Sequence, residues 1–387
     1  MGYIITIFRE LRERFPTWTA FHDFLVSDEG GNLLIIYGQL NKAIIRYEKG
    51  ATNLNIPHVR WFRSVVWDTS THLPVCVAPP KATPLDTYPT MSLSPLYYQD
   101  YMDGVMVNAY DRDDPVLVTR SSFEATGTYY SERSFNELVQ DAIVKNDIGE
   151  LANYFPQNAT FISLLLQHPE HRVVEPIRIP RLYQIHSGKV LASGDVEIEE
   201  QGLPYAPPIL TAPTANQSLA SWIAYLAEEG GKGWSWQGAT IKDNLGQRWR
   251  IRSSTYRMVR SLRGYTTRDD VRFAQLYTTH LMDTYLYYYP EDRDIFNIVY
   301  NRLKTTVKTL YDRYIRHHIT KTLLKEHVEV MWKPHLFALH GYYLYTLRPN
   351  RQFIREKDVW DYVRGLQWQQ LLFIINRREI IPHMMAS

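Results

Sequence analysis

The chain of 387 residues is 45% hydrophobic and 22% charged, with a formal net charge of +2, which excludes disordered, collagen-like and coiled-coil proteins. Its single cysteine, Cys76, excludes an internal disulfide and a multi-cysteine zinc site. The longest apolar runs are far shorter than the roughly 20 residues of a membrane span, and the first residues lack the order of a secretory signal. We therefore expect an intracellular, cytoplasmic protein that has no membrane span and holds two or three domains.

Short strands dominate the prediction from Asn32 to about Ser253. Four segments alternate apolar or aromatic residues with polar ones, and three of them contain an internal turn typical of a hairpin. These segments are NLLIIYGQL from Asn32, SVVWDTSTHLPVCVAPP from Ser64, GVMVNAYDRDDPVLVTR from Gly104 and ATIKDNLGQRWRIR from Ala239. Apolar residues at helical spacing predict two helices among the strands, over 134–145 and 218–229, and the proline-rich stretch 199–216 predicts a loop or linker.

Long helices are predicted after Arg268. Residues 295–319 carry one apolar face of an amphipathic helix, formed by Ile295, Val299, Leu303, Val307, Leu310, Tyr314 and Ile315. A further helix is predicted over 357–376, and Pro290, Pro334 and Pro349 separate the helical segments. The overall class is therefore α+β, with one domain over 1–265 and an all-helical C-terminal domain over 266–387.

Charge is distributed unevenly along the chain. Residues 248–387 contain 24 Lys and Arg against 13 Asp and Glu, a balance of +11, whereas residues 1–247 have a balance of −9. The C-terminal third is a candidate surface for phosphates or an acidic partner. The alternative is that a helical domain carries these basic residues on its solvated faces.

Five short motifs follow one another between residues 62 and 252. They are Phe62–Asp68 with Arg63, leading to Pro79-Pro80-Lys81; Tyr101-Met102-Asp103-Gly104; Thr119-Arg120-Ser121-Ser122-Phe123; the segment 160–174; and Gln237-Gly238-Ala239-Thr240 with Arg250-Ile251-Arg252. In order and spacing they resemble the motifs of the covalent nucleotidyltransferase superfamily, specifically the phage-type RNA ligases and their relatives in large DNA viruses. This resemblance implies an RNA ligase-type domain with an ATP-grasp-like antiparallel sheet.

The resemblance also identifies the catalytic groups that this chain lacks. Tyr101 stands where the family has the lysine that attacks the α-phosphorus of ATP. Leu165, or Leu164 if the register slips by one residue, replaces the strand carboxylate, and Gln237 replaces a second carboxylate. Tyrosine cannot form the phosphoramidate, and leucine cannot bind magnesium. We therefore expect no catalytic residue and no metal site, with ATP and Mg²⁺ as cofactors only if the pocket is still functional.

Part of the binding set is retained. Arg63, Asp103, Gly104 and Arg120 match the family's motifs, while Arg250 and Arg252 stand at the places of two lysines and keep their positive charge. The resemblance implies that these six residues are the remnant of a nucleotide and phosphate site.

The sequence gives weaker signals for a replacement nucleophile, a metal site or a reactive cysteine. Lys42 and Lys49 are candidate replacement nucleophiles, but both precede the Arg63 segment, against the motif order. His335 and His340 lie five residues apart, outside the helical spacing of a metal pair. The lone Cys76 has no evident activating partner, so we expect a buried, inert thiol.

Three hypotheses follow. The first is a catalytically inactive RNA ligase-like protein retained as a structural or interaction component, which the resemblance places in a virion, minor capsid or assembly of a large DNA virus with other protein subunits as partners. The second is a non-catalytic protein that binds nucleotide, RNA or DNA through its arginines and its basic C-terminal third. The third is an active ligase with a relocated nucleophile, which would form a labelled AMP adduct.

Overall fold

A computed structural model describes residues 2–85, 96–214, 216–229 and 232–376. The chain divides into two compact units, Met1–Met258 and Val259–Ser387. The sequence prediction placed this division after residue 265. Helices and mainly antiparallel sheets occur together in the first unit, so the predicted α+β class is confirmed.

The first unit is built from short strands and a few helices. Its described strands are β1 (Gly2–Ile5), β2 (Leu34–Tyr37), β3 (Lys42–Arg46), β4 (Val65–Asp68), β5 (Leu73–Val77), β6 (Thr83–Pro84), β7 (Tyr97–Asp100), β8 (Val105–Tyr110), β9 (Val116–Val118), β10 (Phe161–Gln167), β11 (Arg181–Val190), β12 (Val196–Glu199), β13 (Gly238–Lys242) and β14 (Arg248–Arg252). Its helices are α1 (Ile7–Arg14), α2 (Trp18–Val26), α3 (Phe135–Lys145) and α4 (Leu219–Ala224), and α5 (Ser254–Arg263) crosses into the second unit.

These strands form three sheets. The central sheet has the order β1-β12-β11-β10-β8-β9, the arginine sheet has the order β6-β14-β13-β7, and the N-terminal sheet has the order β2-β3-β4-β5. Neighbouring strands are antiparallel except β6 and β14, which are parallel. The three predicted hairpins are confirmed as β4–β5, β8–β9 and β13–β14. Their turns contain residues with positive φ, such as Gly246 at 76°.

One face of the central sheet is covered by α3. Ser134 and Glu137 form a capping box that fixes the start of this helix. Leu138, Val139, Ala142 and Ile143 are buried as predicted, and they share a core with Ile162, Leu164 and Leu166 of β10.

The N-terminal sheet packs with two helices that the sequence prediction did not include. Phe8 of α1 and Phe21 of α2 are fully buried beside Phe62 and Trp67. Cys76 lies in this core, 1% exposed, and burial raises the pKa of its thiol, as expected for an inert cysteine.

The described part of the second unit contains helices α6 (Asp269–Thr278), α7 (Met282–Tyr288), α8 (Arg293–Tyr314), α9 (Lys333–Tyr342), α10 (Glu356–Arg364) and α11 (Trp368–Asn376). The predicted single helix over 357–376 was wrong, because the chain breaks at Gly365, whose N–H caps the carbonyls of Asp361 and Tyr362. The predicted apolar face of α8 was wrong at its first position, since Ile295 is 36% exposed and Phe296 is buried instead. Across all described helices, we find none with the length and apolarity that a membrane crossing requires.

Candidate functional site

The arginine sheet has two chemically different faces. Because side chains alternate along a strand, Ala239, Ile241 and Ile251 lie on one face, and they pack in a core with Trp222 of α4 and Trp236. The opposite, polar face carries Lys242 on β13 and three arginines at alternate positions of β14, namely Arg248, Arg250 and Arg252.

At one end of this polar face the cations are compensated. Glu200 follows β12 and accepts from the guanidinium of Arg248, from the Lys242 ammonium at 3.1 Å and from Tyr3 Oη at 3.0 Å. Lys242 Nζ also donates to Gln99 Oε1 at 2.8 Å. Burial alone would raise the pKa of the Glu200 carboxyl, but the charges of Arg248 and Lys242 hold this pKa well below its ordinary value. We call this group the buried ion network.

At the other end Arg250 pairs with Pro84 of β6, three residues after Lys81, and the Tyr47 N–H donates to the carbonyl of Phe62, the residue before Arg63. The charges of Arg63, Arg120 and Arg250 act on Lys81, and we call these four cations the basic pocket. The guanidinium of Arg120 donates to the backbone oxygen of Tyr47 and lies 4.7 Å from the centre of the Tyr47 ring. Lys81 Nζ lies 5.6 Å from the centre of the same ring. Two of the four pocket cations therefore lie against one buried aromatic ring, which attracts cations through its π face.

The electrostatics of Lys81 show that these cations act on one another. Burial, and then the positive charges of Arg250, Arg120, Lys49 and Arg63, hold the pKa of Lys81 below its ordinary value. None of the four pocket residues forms an ion pair with a carboxylate of the described chain. The opposite charge of Glu48 acts on Arg120, but the four pocket cations outnumber it and create a positive potential, which favours an anionic ligand.

Tyr101 lies beside this pocket. Arg252 Nη2 donates to Tyr101 Oη at 3.3 Å, and the Arg252 guanidinium carbon lies 5.5 Å from the ring centre. Burial alone would raise the pKa of Tyr101, but the charges of Arg252 and Arg250 outweigh burial and lower it. The Tyr101 phenol is therefore held by an arginine of the same polar face.

Asp103 has a structural role, although the resemblance assigned it to the binding remnant. Its carboxylate accepts from Tyr256 Oη at 2.9 Å and from the backbone N–H groups of Val174 and Glu175 at 2.8 and 3.1 Å. These three bonds engage both oxygens of a side chain that is only 6% exposed. Asp103 anchors the loop after β10 and does not join the basic pocket.

Gly104 and Leu165 meet at the same point. A Cβ at Gly104, where φ is 157°, would lie 2.4 Å from the Leu166 carbonyl and 3.1 Å from Leu165 Cδ2. The alternation along β10 puts Leu164 in the α3 core and Leu165 on the opposite face with Ser163 and Gln167. Leu165 is thus the residue on the Ser163 face of the strand.

The sequence-predicted residues therefore fall into separate groups. Arg63, Arg120 and Arg250 come together in the basic pocket, and Arg252 contacts Tyr101 next to it. Gln237 is buried just before β13, where its backbone oxygen accepts from Ser253. The prediction quoted Lys81 only as part of a motif, and it set Lys49 aside for its position in the chain. Tyr47 was missed, because a tyrosine after a strand carries no distinctive sequence signal.

An open cavity of about 780 Å³ is lined by residues of β14 and of the α4 helix. Arg250, Arg252 and Arg257 line it together with the acidic Glu228 and with apolar residues such as Leu219 and Ile223 of the α4 helix. Its volume is in the range of small-ligand sites, and its walls combine cationic and apolar surface.

A second polar cluster resembles a catalytic pair but is closed off from ligands. Ser163 Oγ lies 2.9 Å from His186 Nε2 and donates to Asn108 Oδ1 at 2.6 Å. Ser163 and His186 are at most 1% exposed, and burial lowers the pKa of His186 to about 3. We interpret this cluster as internal hydrogen bonding of the central sheet.

Metal ligands do not gather elsewhere in the described structure. His335 Nδ1 lies 2.7 Å from Tyr362 Oη and is buried, which is typical of a structural histidine. Within the described ranges, no group of three or more His, Cys, Asp or Glu side chains is placed to hold a metal ion. Comparison with protein-family models and with curated protein sequences gives no match for this chain.

Proposed function

We propose that this chain is a catalytically inactive RNA ligase-like protein that binds a nucleotide through the basic pocket. The observation that supports this most strongly is the pair of cations at the Tyr47 ring, Lys81 and Arg120, with Arg63 and Arg250 close enough for their charges to act on Lys81. Arginine forms bidentate hydrogen bonds with phosphate, and a ligand phosphate would supply the missing counter-charge. Arg250 also lines a cavity beside the α4 helix, where apolar side chains could contact a base.

The proposal includes binding but no covalent transfer. A ligase-type transfer needs an amine at the motif position and carboxylates that hold a metal ion on the phosphates. Here that position holds Tyr101, whose hydroxyl is engaged by Arg252, and the strand position holds Leu165. Lys81 is the one amine among the four pocket residues, and it precedes the motif that carries the family's nucleophile.

The test combines an equilibrium and a covalent measurement. Purified protein is titrated with ATP while its thermal unfolding is followed, because a ligand that binds only the folded state raises stability, by about 2.7 kcal/mol at a hundredfold excess over Kd. In parallel, the protein is incubated with α-labelled ATP and Mg²⁺ and separated by denaturing electrophoresis. We expect a thermal shift and no labelled band.

Two variants make the outcomes specific. Tyr101→Lys restores an amine at the motif position, and a band in this variant alone would indicate that the pocket positions the α-phosphate. Lys81→Met removes the pocket amine, so a band on the wild type that disappears in Lys81→Met would contradict the inactive proposal and identify a relocated nucleophile. Absence of any thermal shift would contradict nucleotide binding.

A second candidate function is that of a structural component, in a virion, minor capsid or other assembly. The helical unit favours this candidate, because Phe337 is 82% exposed, Tyr345 is 85% exposed and Val330 is 78% exposed. Large apolar side chains in contact with solvent are typical of surfaces that bind other protein subunits. A virion component would co-sediment with purified virus particles through a density gradient, and its absence from particles would exclude that location.

A further inference from the structure

We propose that the basic pocket takes a nucleoside polyphosphate as a metal-free anion, so that the pocket cations replace the divalent ion that usually accompanies such phosphates. This inference rests on the proposed function and adds to it the chemical form of the ligand. It depends on the balance of charges in the pocket and on the side chains at the positions next to it.

The first argument is the number of available cations. The terminal phosphate of a nucleotide carries about 1.5 to 2 negative charges near neutral pH, and each inner phosphate adds another. Arg63, Lys81, Arg120 and Arg250 supply four positive charges, none of them paired with a carboxylate of the described residues. A bare polyphosphate chain therefore matches the pocket in charge without help from an added cation.

The second argument is the field that a metal ion would meet. Lys81 and Arg120 lie against the same Tyr47 ring, and the charges of Arg120 and its neighbours add to burial in lowering the pKa of the Lys81 ammonium, so they disfavour a further positive charge at that point. A divalent ion would experience the same repulsion twice over, since the interaction scales with charge. The positive potential therefore favours the bare phosphate over its magnesium complex.

The third argument is the set of donors beside the pocket. Magnesium takes oxygen ligands in near-octahedral geometry, generally with one or two carboxylates from the protein. The resemblance places such carboxylates at Leu165 and Gln237, where the chain offers an alkyl group and a neutral amide. Asp103 already uses both oxygens for Tyr256, Val174 and Glu175. Glu48, whose charge acts on Arg120, is engaged by the guanidinium of Arg46, with Arg46 Nη2 3.7 Å from Glu48 Oε1.

The experiment is isothermal titration calorimetry of the full chain with ATP, once with EDTA and once with excess MgCl₂. We expect binding in EDTA that is as tight as, or tighter than, binding in MgCl₂. We also expect affinity to fall in the order ATP, ADP, AMP, and inorganic triphosphate to compete with ATP, because phosphate charge supplies the attraction.

Variants connect the result to the pocket. Arg250→Gln removes one phosphate donor and should weaken ATP binding about tenfold to hundredfold, since a hydrogen bond to a charged group contributes on the order of 1.5 to 3 kcal/mol. Arg250→Lys keeps the charge and should lose less affinity. Arg302→Gln, an exposed arginine of α8, makes the same charge change outside the pocket and should leave affinity unchanged.

The outcomes separate this inference from the function on which it rests. Binding of ATP only when MgCl₂ is present would overturn metal-free recognition while leaving nucleotide binding intact. No binding in either buffer would overturn both. Equal loss of affinity in Arg250→Gln and Arg302→Gln would also overturn the inference, because attraction would then come from overall charge and not from the basic pocket.

Discussion

The two ends of the polar face of the arginine sheet carry the same kinds of side chain in different surroundings. At one end Lys242 and Arg248 are paired with Glu200 and sealed by Tyr3 and Gln99. At the other end Arg250 lies among further cations, and Arg252 contacts a phenol. Both ends belong to one ladder of alternating residues on β13 and β14. The difference comes from a single carboxylate that the chain supplies after β12 at one end only.

This difference separates stability from binding. The charge of a buried cation with a fixed carboxylate partner is compensated within the protein, so this cation does not contribute to ligand binding. A cation without such a partner is hydrated by solvent, so it remains available to bind an anionic ligand. Changes at the two ends should therefore have opposite effects on folding and on nucleotide affinity.

The largest expected effect is on the buried ion network. Glu200→Gln removes the carboxylate but leaves Lys242 and Arg248, which are 3% and 8% exposed, without a counter-charge. Breaking a buried pair by removing one partner costs about 3 to 5 kcal/mol, so we expect a loss of this size in urea unfolding.

Glu197→Gln is the matched control, because Glu197 is an exposed glutamate of β12 whose replacement should change stability by about 0.5 kcal/mol or less. Similar stability of the two variants would show that the network contributes little, and the contrast between the two ends would lose its basis.

The second effect is a loss of stability in acid through His186. Burial lowers the pKa of this histidine to about 3, from 6.5 in the unfolded chain. Below pH 6.5 the unfolded state binds the proton while the folded state does not, so stability falls as the pH decreases from about 6.5 to about 3. The loss is on the order of a few kcal/mol, since each pKa unit corresponds to about 1.4 kcal/mol.

Urea unfolding at several pH values measures this loss in the wild type and in His186→Gln. The variant lacks the titrating group, so its stability should depend less steeply on pH within the same window. Parallel curves for the two proteins would assign the acid sensitivity to other groups.

At the end of the face that carries Arg250, we expect a substitution to change stability in the opposite direction. Arg250→Gln relieves repulsion among the pocket cations, so stability should stay the same or rise by up to about 1 kcal/mol, which is the size of partly exposed charge interactions. The pKa of Lys81 should rise at the same time, because Arg250 is the first of the charges that lower it. A loss of more than about 2 kcal/mol in urea unfolding would indicate that Arg250 is structural, as Arg248 is.

Local patterns in the sequence predicted much of the fold. The three hairpins carry alternation and turn residues that act within about ten positions, and α3 carries a capping box and an apolar face. Helices α10 and α11 were predicted as one, because the apolar pattern continues across Gly365 while the chain does not. The alternation of side chains along one strand can be recognised in the sequence. Whether a single glycine ends a helix depends on the residues around it in the fold.

The candidate site was predictable only where charge was retained. Arg63, Arg120 and Arg250 were identified from motif positions, and the structure brings them together. Glu200 was missed because its partners lie 42, 48 and 197 positions away, and Tyr47 was missed because its significance comes from the two cations at its ring; a sequence shows neither. Asp103 was assigned to binding because its motif suggests it, yet its three hydrogen bonds make it an anchor.

The smallest expected effect is spectroscopic, and it concerns Tyr101. The charges of Arg252 and Arg250 lower its pKa, so the folded protein releases this phenol proton at a lower pH than the unfolded chain, whose tyrosines titrate near 10. Stability should accordingly rise slightly as the pH increases towards 10. The ultraviolet difference between the wild type and Tyr101→Phe, followed against pH, isolates this titration.

Arg252→Gln should raise the pKa of Tyr101, because burial then acts with less opposition from positive charge. Bound ATP should raise it as well, since phosphates on Arg250 would offset the charge that stabilises the phenolate. An unchanged Tyr101 titration at saturating ATP would mean that the nucleotide lies away from β14. ATP binding would then be assigned to Arg63 and Arg120 without Arg250.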